Sequence, residues 1–218
     1  MARILLLDLD GTLVDTVPDL AAALNRLMER EGLAPFSHAG TAAMVGDGVA
    51  ALVGKAFAAR GRTPDAAAVA SFAADYGAHA AVESRPYPGI PALLRDLTAE
   101  GWGLAICTNK PEAAARSLLE ALDLMPLLCA VGGGDSFPAR KPDPAHLLAT
   151  LRAAGGEAAS AIMVGDHAND VAAARGAGVK SIFVTWGYGP AAMGEGADAV
   201  AHDPPELRAA IRRLLPLV

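Results

Sequence analysis

The chain has 218 residues, of which 53% are hydrophobic and 19% are charged, and its net charge is −6. This length suffices for one large domain, or for one domain carrying a smaller insertion, with a sizeable buried core. The negative charge argues against nucleic acid or a membrane surface as a partner, because both are anionic. No apolar run reaches the roughly 18 residues that a membrane-spanning helix needs.

The amino-terminal residues and the two cysteines indicate where in the cell the protein is located. The opening apolar stretch is short, and Asp8 and Asp10 follow where a signal peptide would be cleaved. Cys107 and Cys129 both lie in apolar runs and are expected to be buried thiols rather than a disulfide. These features predict a cytoplasmic protein.

The first predicted element is a strand over residues 4–9, whose uninterrupted apolar character suits a strand buried on both faces. Thr16 begins a segment with typical helix-start residues, and Gly32 ends the helix that follows. From about residue 33 to 83 the chain is rich in alanine, with a break at residues 46–48 and no convincing strand. This region is predicted to be a helical insertion.

Strands and helices alternate after residue 86. The predicted strands are 103–107, 127–131, 161–164 and 181–184, and the predicted helices are 91–100, 111–122, 145–153 and 168–175. Alternation implies parallel pairing, because a parallel connection needs a crossover. The predicted fold is therefore α/β: a doubly wound parallel sheet with a Rossmann-like core and a helical cap inserted after the first strand. The core would comprise residues 1–15 and 84–218, and the cap residues 16–83.

Polar side chains gather where the predicted strands end or in the loops that follow. They are Asp8, Asp10 and Thr12, then Thr108, Asn109 and Lys110, then Lys141, and finally Asp166 and Asp170. In an open parallel sheet the ligand crevice lies at this edge. Each residue alone has an ordinary explanation as a turn, a helix cap or a solvated charge, but together they indicate a site. Carboxylates beside a lysine suit Mg²⁺ with a substrate phosphate, and without a histidine pair or cysteine cluster zinc is not expected.

The polar segments resemble the motifs of a known family. The stretch DLDGTLVDT at residues 8–16 resembles the first motif of the haloacid dehalogenase superfamily, and residues 108–110, 140–144 and 165–170 resemble its second, third and fourth motifs. The resemblance covers nearly the whole chain. Within the superfamily the sequence is most similar to the phosphoglycolate phosphatase group, through residues 45–48, 87–89 and 186–189. Neighbouring sugar-phosphate and pyrophosphate phosphatases share these last features.

The resemblance implies roles for the acidic residues. Asp8 would attack phosphorus and form a phospho-aspartyl intermediate. Asp10 would protonate the leaving alkoxide and later deprotonate the attacking water. Asp8, the main-chain carbonyl of Asp10, and Asp166 would hold Mg²⁺, which lets an anionic nucleophile approach an anionic phosphate.

The resemblance also implies roles for residues around the phosphate. Thr108, Asn109 and Lys141 would bind phosphoryl oxygens, and Asp170 would orient either Lys141 or a metal-bound water. His167 stands where the family usually has a small residue such as serine. Two interpretations of His167 remain open: a donor near the metal, or a neighbour that faces solvent.

The expected activity is Mg²⁺-dependent hydrolysis of a small phosphorylated metabolite, with phosphoglycolate as the leading candidate, by a monomer or homodimer. Asp10 favours phosphate transfer, because the dehalogenase and phosphonate-cleaving relatives typically lack that acid. A phosphomutase of the same superfamily remains an alternative. An aspartate-phosphorylated signalling domain is a rival from another class, but such domains are shorter and need neither Asp10 nor an insertion.

Substrate choice is expected to lie in the insertion. Gly46, Asp47 and Gly48 read as the start of a helix that includes Lys55. The free N–H groups of a helix amino terminus suit a substrate carboxylate, such as that of phosphoglycolate. The alternative is that Asp47 only caps the helix and that Lys55 is solvated.

Overall fold

The computed structural model describes residues 3–216. The strands are β1 (Arg3–Leu7), β2 (Val14–Asp15), β3 (Arg85–Pro86), β4 (Trp102–Cys107), β5 (Ala130–Gly132), β6 (Ala161–Gly165), β7 (Lys180–Val184) and β8 (Ala199–Ala201). The α-helices are α1 (Val17–Arg30), α2 (His38–Ala42), α3 (Val49–Ala58), α4 (Ala66–His79), α5 (Ile90–Ala99), α6 (Glu112–Ala121), α7 (Pro144–Ala153), α8 (Ala168–Ala177) and α9 (Pro204–Leu214). No helix within the described range is long and apolar enough to cross a membrane.

The central sheet has six strands in the order β5-β4-β1-β6-β7-β8, and every neighbouring pair is parallel. Alternate residues of β1 enter different hydrophobic clusters, Leu5 and Leu7 in one and Ile4 and Leu6 in another. Side chains alternate across a strand, so both faces of β1 are covered, which explains its continuous apolar run. The predicted doubly wound α/β fold is confirmed.

Some sequence predictions were wrong in detail. The strand predicted at 127–131 begins only at Ala130, because Met125–Leu127 forms a 3₁₀ turn with a proline in its first turn. Cys129, expected to be buried, is exposed, whereas Cys107 is buried as expected. Strand β8 and helix α9 were not predicted.

Helices α1 to α4 bury a hydrophobic cluster of their own, which includes Leu24, Phe57 and Tyr76. The two chain segments that connect these helices to the sheet lie side by side, because β2 pairs with β3 in antiparallel register. Next to this pair, the Asp19 carboxylate accepts hydrogen bonds from the N–H of Glu83 and from the N–H and hydroxyl of Ser84. The predicted domain boundaries, after residues 15 and 83, stay a prediction.

Candidate active site

The predicted site residues come together because their strands are neighbours. Strand β1 lies between β4 and β6, and Asp8, Thr108 and Asp166 directly follow the ends of these three strands. The Asp8 N–H continues the ladder by donating to the carbonyl of Val164 at 2.9 Å. Side chains that are far apart in sequence therefore meet at one edge of the sheet, as the parallel arrangement predicts.

Asp8, Asp166 and Asp170 form a buried acidic cluster. Each offers a carboxylate oxygen that lies within 4.8 Å of the others. Asp166 accepts hydrogen bonds from the Thr12 hydroxyl at 3.0 Å and from the Tyr188 N–H at 2.7 Å. Burial, and then the charge of Asp8, raises the pKa of Asp166 to about 6. Burial disfavours the charged carboxylate, and the nearby charge of Asp8 adds to this effect.

Lys141 supplies one compensating charge. Its ammonium lies 3.1 Å from Asp8 Oδ1 and 2.5 Å from Asp170 Oδ1, and the residue is buried. Burial acts to lower the pKa of Lys141, but the charges of Asp170 and Asp8 outweigh burial, so the pKa lies above its ordinary value. Lys141 is therefore charged, and Asp170 contacts it directly.

The acidic cluster fits a hard divalent cation. Among residues 3–216, the cluster consists only of carboxylates, and oxygen donors without histidine or thiolate are the donors that Mg²⁺ and Ca²⁺ prefer. One lysine offsets one of the three carboxylates, so the cluster as a whole retains negative charge. The Asp10 carboxylate is not a member of it, and the expected contribution of Asp10 to a metal is its main-chain carbonyl.

The Asp10 carboxylate instead pairs with Lys110. The Lys110 ammonium donates to the two Asp10 oxygens at 2.9 and 3.2 Å and to the Tyr76 hydroxyl, on helix α4, at 2.6 Å. Burial acts to lower the pKa of Lys110, but Asp10 and Tyr76 raise it above its ordinary value. This contact joins the insertion to the residue expected to act as acid and base.

Thr108 and Asn109, which were both expected to bind phosphate, make different contacts in the structure. Thr108 is buried, and its hydroxyl accepts a hydrogen bond from the Lys110 N–H at 3.3 Å. The Asn109 side-chain amide donates to the carbonyls of Gly46 and Lys141, both at 3.0 Å. The Asn109 amide therefore ties the insertion to the core, and only its main chain is left to contact a phosphate.

The turn at residues 46–48 rests on the core. The Asp47 carboxylate accepts from Lys55 at 2.6 Å and from the Asn169 amide at 2.8 Å. Helix α3 has Gly48 as its N-cap and no side-chain cap, so the interpretation of Asp47 as the helix cap is wrong. Lys55 is partly exposed, but its ammonium is paired with Asp47.

His167 packs against this turn. A side chain at Gly46 would place its Cβ 2.6 Å from the His167 ring, and Gly46 has a φ of +121°. The ring nitrogen Nδ1 accepts from the Asn169 N–H at 3.2 Å, which caps helix α8. Burial lowers the pKa of His167, so the ring is neutral at pH 7. His167 faces the insertion rather than solvent.

A small cavity lies between the insertion and the sheet edge. Polar lining residues are Asp8, Asp10, Tyr76, Thr108, Asn109 and Lys110, and apolar ones are Leu20, Val45, Val49 and Leu52. Small-molecule sites in proteins commonly have such a lining, with a mostly apolar wall and a few convergent polar groups. The cavity gives a small phosphate ester access to Asp8 and Asp10 together.

The sequence did not single out Tyr76 or assign a role to Lys110. Lys110 was visible only as part of the motif at residues 108–110, and Tyr76 lies in an alanine-rich helix without a distinguishing pattern. Their partnership depends on how α4 packs against the sheet edge.

Comparison with known proteins supports the family resemblance that the sequence motifs indicated. Residues 2–178 match the haloacid dehalogenase-like hydrolase family. The chain belongs to this family. A phosphatase of Rhodospirillum rubrum, named phosphoglycolate phosphatase, is 45% identical over 196 residues, which cover 86% of this chain and 81% of that protein. A phosphoglycolate phosphatase of Caulobacter vibrioides is 44% identical over 200 residues, covering 89% and 84% of the two chains.

Solved structures agree with these relatives. A predicted phosphoglycolate phosphatase of Haemophilus somnus 129PT superposes with a TM-score of 0.88 at 29% identity, covering 96% of this chain and 97% of that one. Its counterpart from Lactobacillus delbrueckii subsp. bulgaricus gives a TM-score of 0.86 at 26% identity, covering 96% and 98%. The chain is thus a phosphatase, that is, a phosphoric monoester hydrolase. The alternative of an aspartate-phosphorylated signalling domain is set aside.

Proposed function

We propose that this phosphatase hydrolyses phosphoglycolate, or another small phosphate ester, through a phospho-aspartyl intermediate on Asp8. The observation that carries the proposal is the placement of Asp8. Its carboxylate lines the cavity together with Asp10, and Lys141 lies 3.1 Å away. A nucleophile, an acid-base partner and a positive charge thus meet in one small cavity. The names of the most similar relatives support phosphoglycolate as the substrate.

The chemistry requires two displacements at phosphorus. In the first, the Asp8 carboxylate forms a bond to phosphorus while the bond from phosphorus to the ester oxygen breaks, and Asp10 gives that oxygen a proton. In the second, water attacks the phosphorus of the acyl phosphate, Asp10 takes a proton from the water, and the Asp8 carboxylate is regenerated. The products are the free alcohol and inorganic phosphate.

Positive charge must accompany an anionic nucleophile and an anionic substrate. Lys141 pairs with Asp8 and with Asp170, which would orient it. Thr108 lines the same cavity and would donate its hydroxyl to a phosphoryl oxygen. Asp8, the main-chain carbonyl of Asp10, and Asp166 would hold Mg²⁺, which supplies Lewis-acid charge neutralisation when bound.

The insertion, residues 16–83, would act as a cap over the site. Hydrogen bonds from Asn109 to Gly46 and from Asn169 to Asp47 join it to the core, and closure excludes water from the reaction. Gly48 lines the cavity at the start of α3, so the amino terminus of this helix stays a proposed contact for a substrate carboxylate. We further propose that the protein is cytoplasmic and is a monomer or a homodimer.

The test is phosphate release by purified protein from phosphoglycolate, glucose phosphates and pyrophosphate, with Mg²⁺ and with excess chelator. Phosphoglycolate should give the highest kcat/KM, and the chelator should abolish turnover. Asp8→Asn should retain less than about 1% of activity, because loss of a covalent nucleophile costs several powers of ten. The matched control is Asp96→Asn, which alters a 55% exposed side chain in a surface ion pair. Substantial turnover by Asp8→Asn would refute the covalent route.

A further inference from the structure

Lys110 is a buried cation that the phosphoryl chemistry does not need. Lys141 already pairs with Asp8, whereas the Lys110 ammonium pairs with Asp10. Asp10 is the residue expected to reach the oxygen that leaves with the alcohol. Lys110 is therefore placed where the alcohol part of the substrate must lie, rather than where the phosphoryl group lies.

Besides the main-chain N–H groups at the start of α3, the cavity wall has few groups that could bind a charged alcohol. Among the described residues that line the cavity, Lys110 alone carries a positive charge, and its carboxylate neighbours Asp8 and Asp10 repel an anion. Leu20, Val49 and Leu52 make much of the remaining wall apolar. An anionic group in such a place is unfavourable unless a cation contacts it.

We propose that Lys110, supported by the Tyr76 hydroxyl, binds the carboxylate of the leaving alcohol. This inference rests on the proposed function and specifies its substrate class: phosphate esters of short hydroxy acids. On binding, the Lys110 ammonium gives up one of its two contacts with the Asp10 carboxylate and contacts the substrate carboxylate instead. The exchange frees one Asp10 oxygen for the leaving oxygen, so recognition of the carboxylate prepares the residue that completes the first displacement.

The spacing favours a two-carbon acid. The Lys110 ammonium is within hydrogen-bond distance of Asp10, at 2.9 and 3.2 Å, and Asp10 must itself be within such a distance of the leaving oxygen. In phosphoglycolate a single methylene separates that oxygen from the carboxylate. Tyr76 fixes the ammonium from the insertion side at 2.6 Å, so the same contact requires the insertion to be in place.

The test compares two esters of nearly equal shape, phosphoglycolate and its neutral amide, phosphoglycolamide, in the presence of Mg²⁺. Wild type should favour phosphoglycolate in kcat/KM by about 30-fold or more, as expected for a buried charge pair. Lys110→Met should lose most of this preference, and Tyr76→Phe should lose part of it. Lys180→Met, which removes a 56% exposed lysine far from the cavity lining, should keep the preference intact.

The ratio of kcat/KM for the two esters distinguishes two roles of Lys110: recognition of the substrate carboxylate and positioning of Asp10. If Lys110 only positions Asp10, Lys110→Met slows both esters equally and the preference survives, which overturns the inference. Equal wild-type rates on the two esters overturn it as well, and this measurement does not depend on whether a variant folds. In both cases the protein still hydrolyses phosphate esters, so the proposed function is not contradicted. Folded wild type that hydrolyses neither ester would overturn phosphoglycolate as the substrate, and the inference with it.

Discussion

Replacement of Lys141 by methionine should lower the free energy of unfolding by about 3–5 kcal/mol at pH 7. The Lys141 ammonium lies 2.5 Å from Asp170 and 3.1 Å from Asp8, and all three residues are buried. Methionine has nearly the same length, so little packing is lost, but two interior carboxylates lose their countercharge. The folded variant can limit the loss by protonating one carboxyl, which costs about 4 kcal/mol at pH 7 for a group of ordinary pKa.

Lys180→Met is the matched control. Lys180 pairs with Asp198 at 2.7 Å, a distance close to that of the buried pair, but its side chain is 56% exposed. Solvent screens this pair, so the control should change the free energy of unfolding by no more than about 1 kcal/mol. The difference in the free energy of unfolding between the two variants then measures the effect of burying the ion pair, and not the effect of losing an ion pair as such.

The assay is urea unfolding followed by circular dichroism, in chelator so that no cation replaces the missing charge. In the Lys141 variant a carboxyl protonated in the folded state and ionised in the unfolded chain binds a proton on folding. Stability therefore falls as pH rises, and the deficit against wild type should be larger at pH 8 than at pH 5. A loss below about 1 kcal/mol at pH 7, or a deficit independent of pH, would contradict the buried pairing.

Three further outcomes are expected. Asp10→Asn should be far more impaired on alkyl phosphates than on an aryl phosphate whose leaving group needs no proton, and equal kcat/KM losses on both would argue against proton transfer by Asp10. Asp19→Ala should lower the free energy of unfolding by about 2–3 kcal/mol in urea titrations, because the N–H groups of Glu83 and Ser84 lose a charged acceptor; no loss would mean that water replaces it. In the native protein at pH 8 an aromatic disulfide reagent should label Cys129 but spare Cys107, which is buried and whose pKa burial raises to about 12; labelling of both before denaturant is added would contradict this packing.

Most of the sheet could be predicted because its strands are long enough to show their pattern. Strands β1, β4, β6 and β7 are five or six residues long, and each contains an apolar run that is followed by turn residues. Strand β8 has three residues, one of which, Val200, is exposed. Such a strand has no periodicity to detect, and its place at the sheet edge follows from pairing with β7.

The acidic part of the site could be predicted for a different reason. Parallel strands end at one edge, so residues that follow strand ends converge there without any knowledge of side-chain packing. Asp8 and Asp166 illustrate this, because they directly follow β1 and β6, which are neighbours in the sheet. The contacts of Asn109 and Tyr76 could not be predicted, because they depend on how the insertion rests on the core.

The two buried lysines show what the geometry adds to the motifs. Lys110 and Lys141 both lie in loops beside the same edge, and the sequence assigned a phosphate contact to Lys141 but no role to Lys110. The structure separates them: Lys141 pairs with the nucleophile Asp8 and Lys110 with Asp10. The proposed hydrolysis divides the substrate in the same way, because phosphorus would bond to Asp8 and Asp10 would protonate the departing alcohol. In the proposed mechanism, Lys110 on the cavity wall and Lys141 against Asp8 would each compensate one of the two charged ends of the substrate.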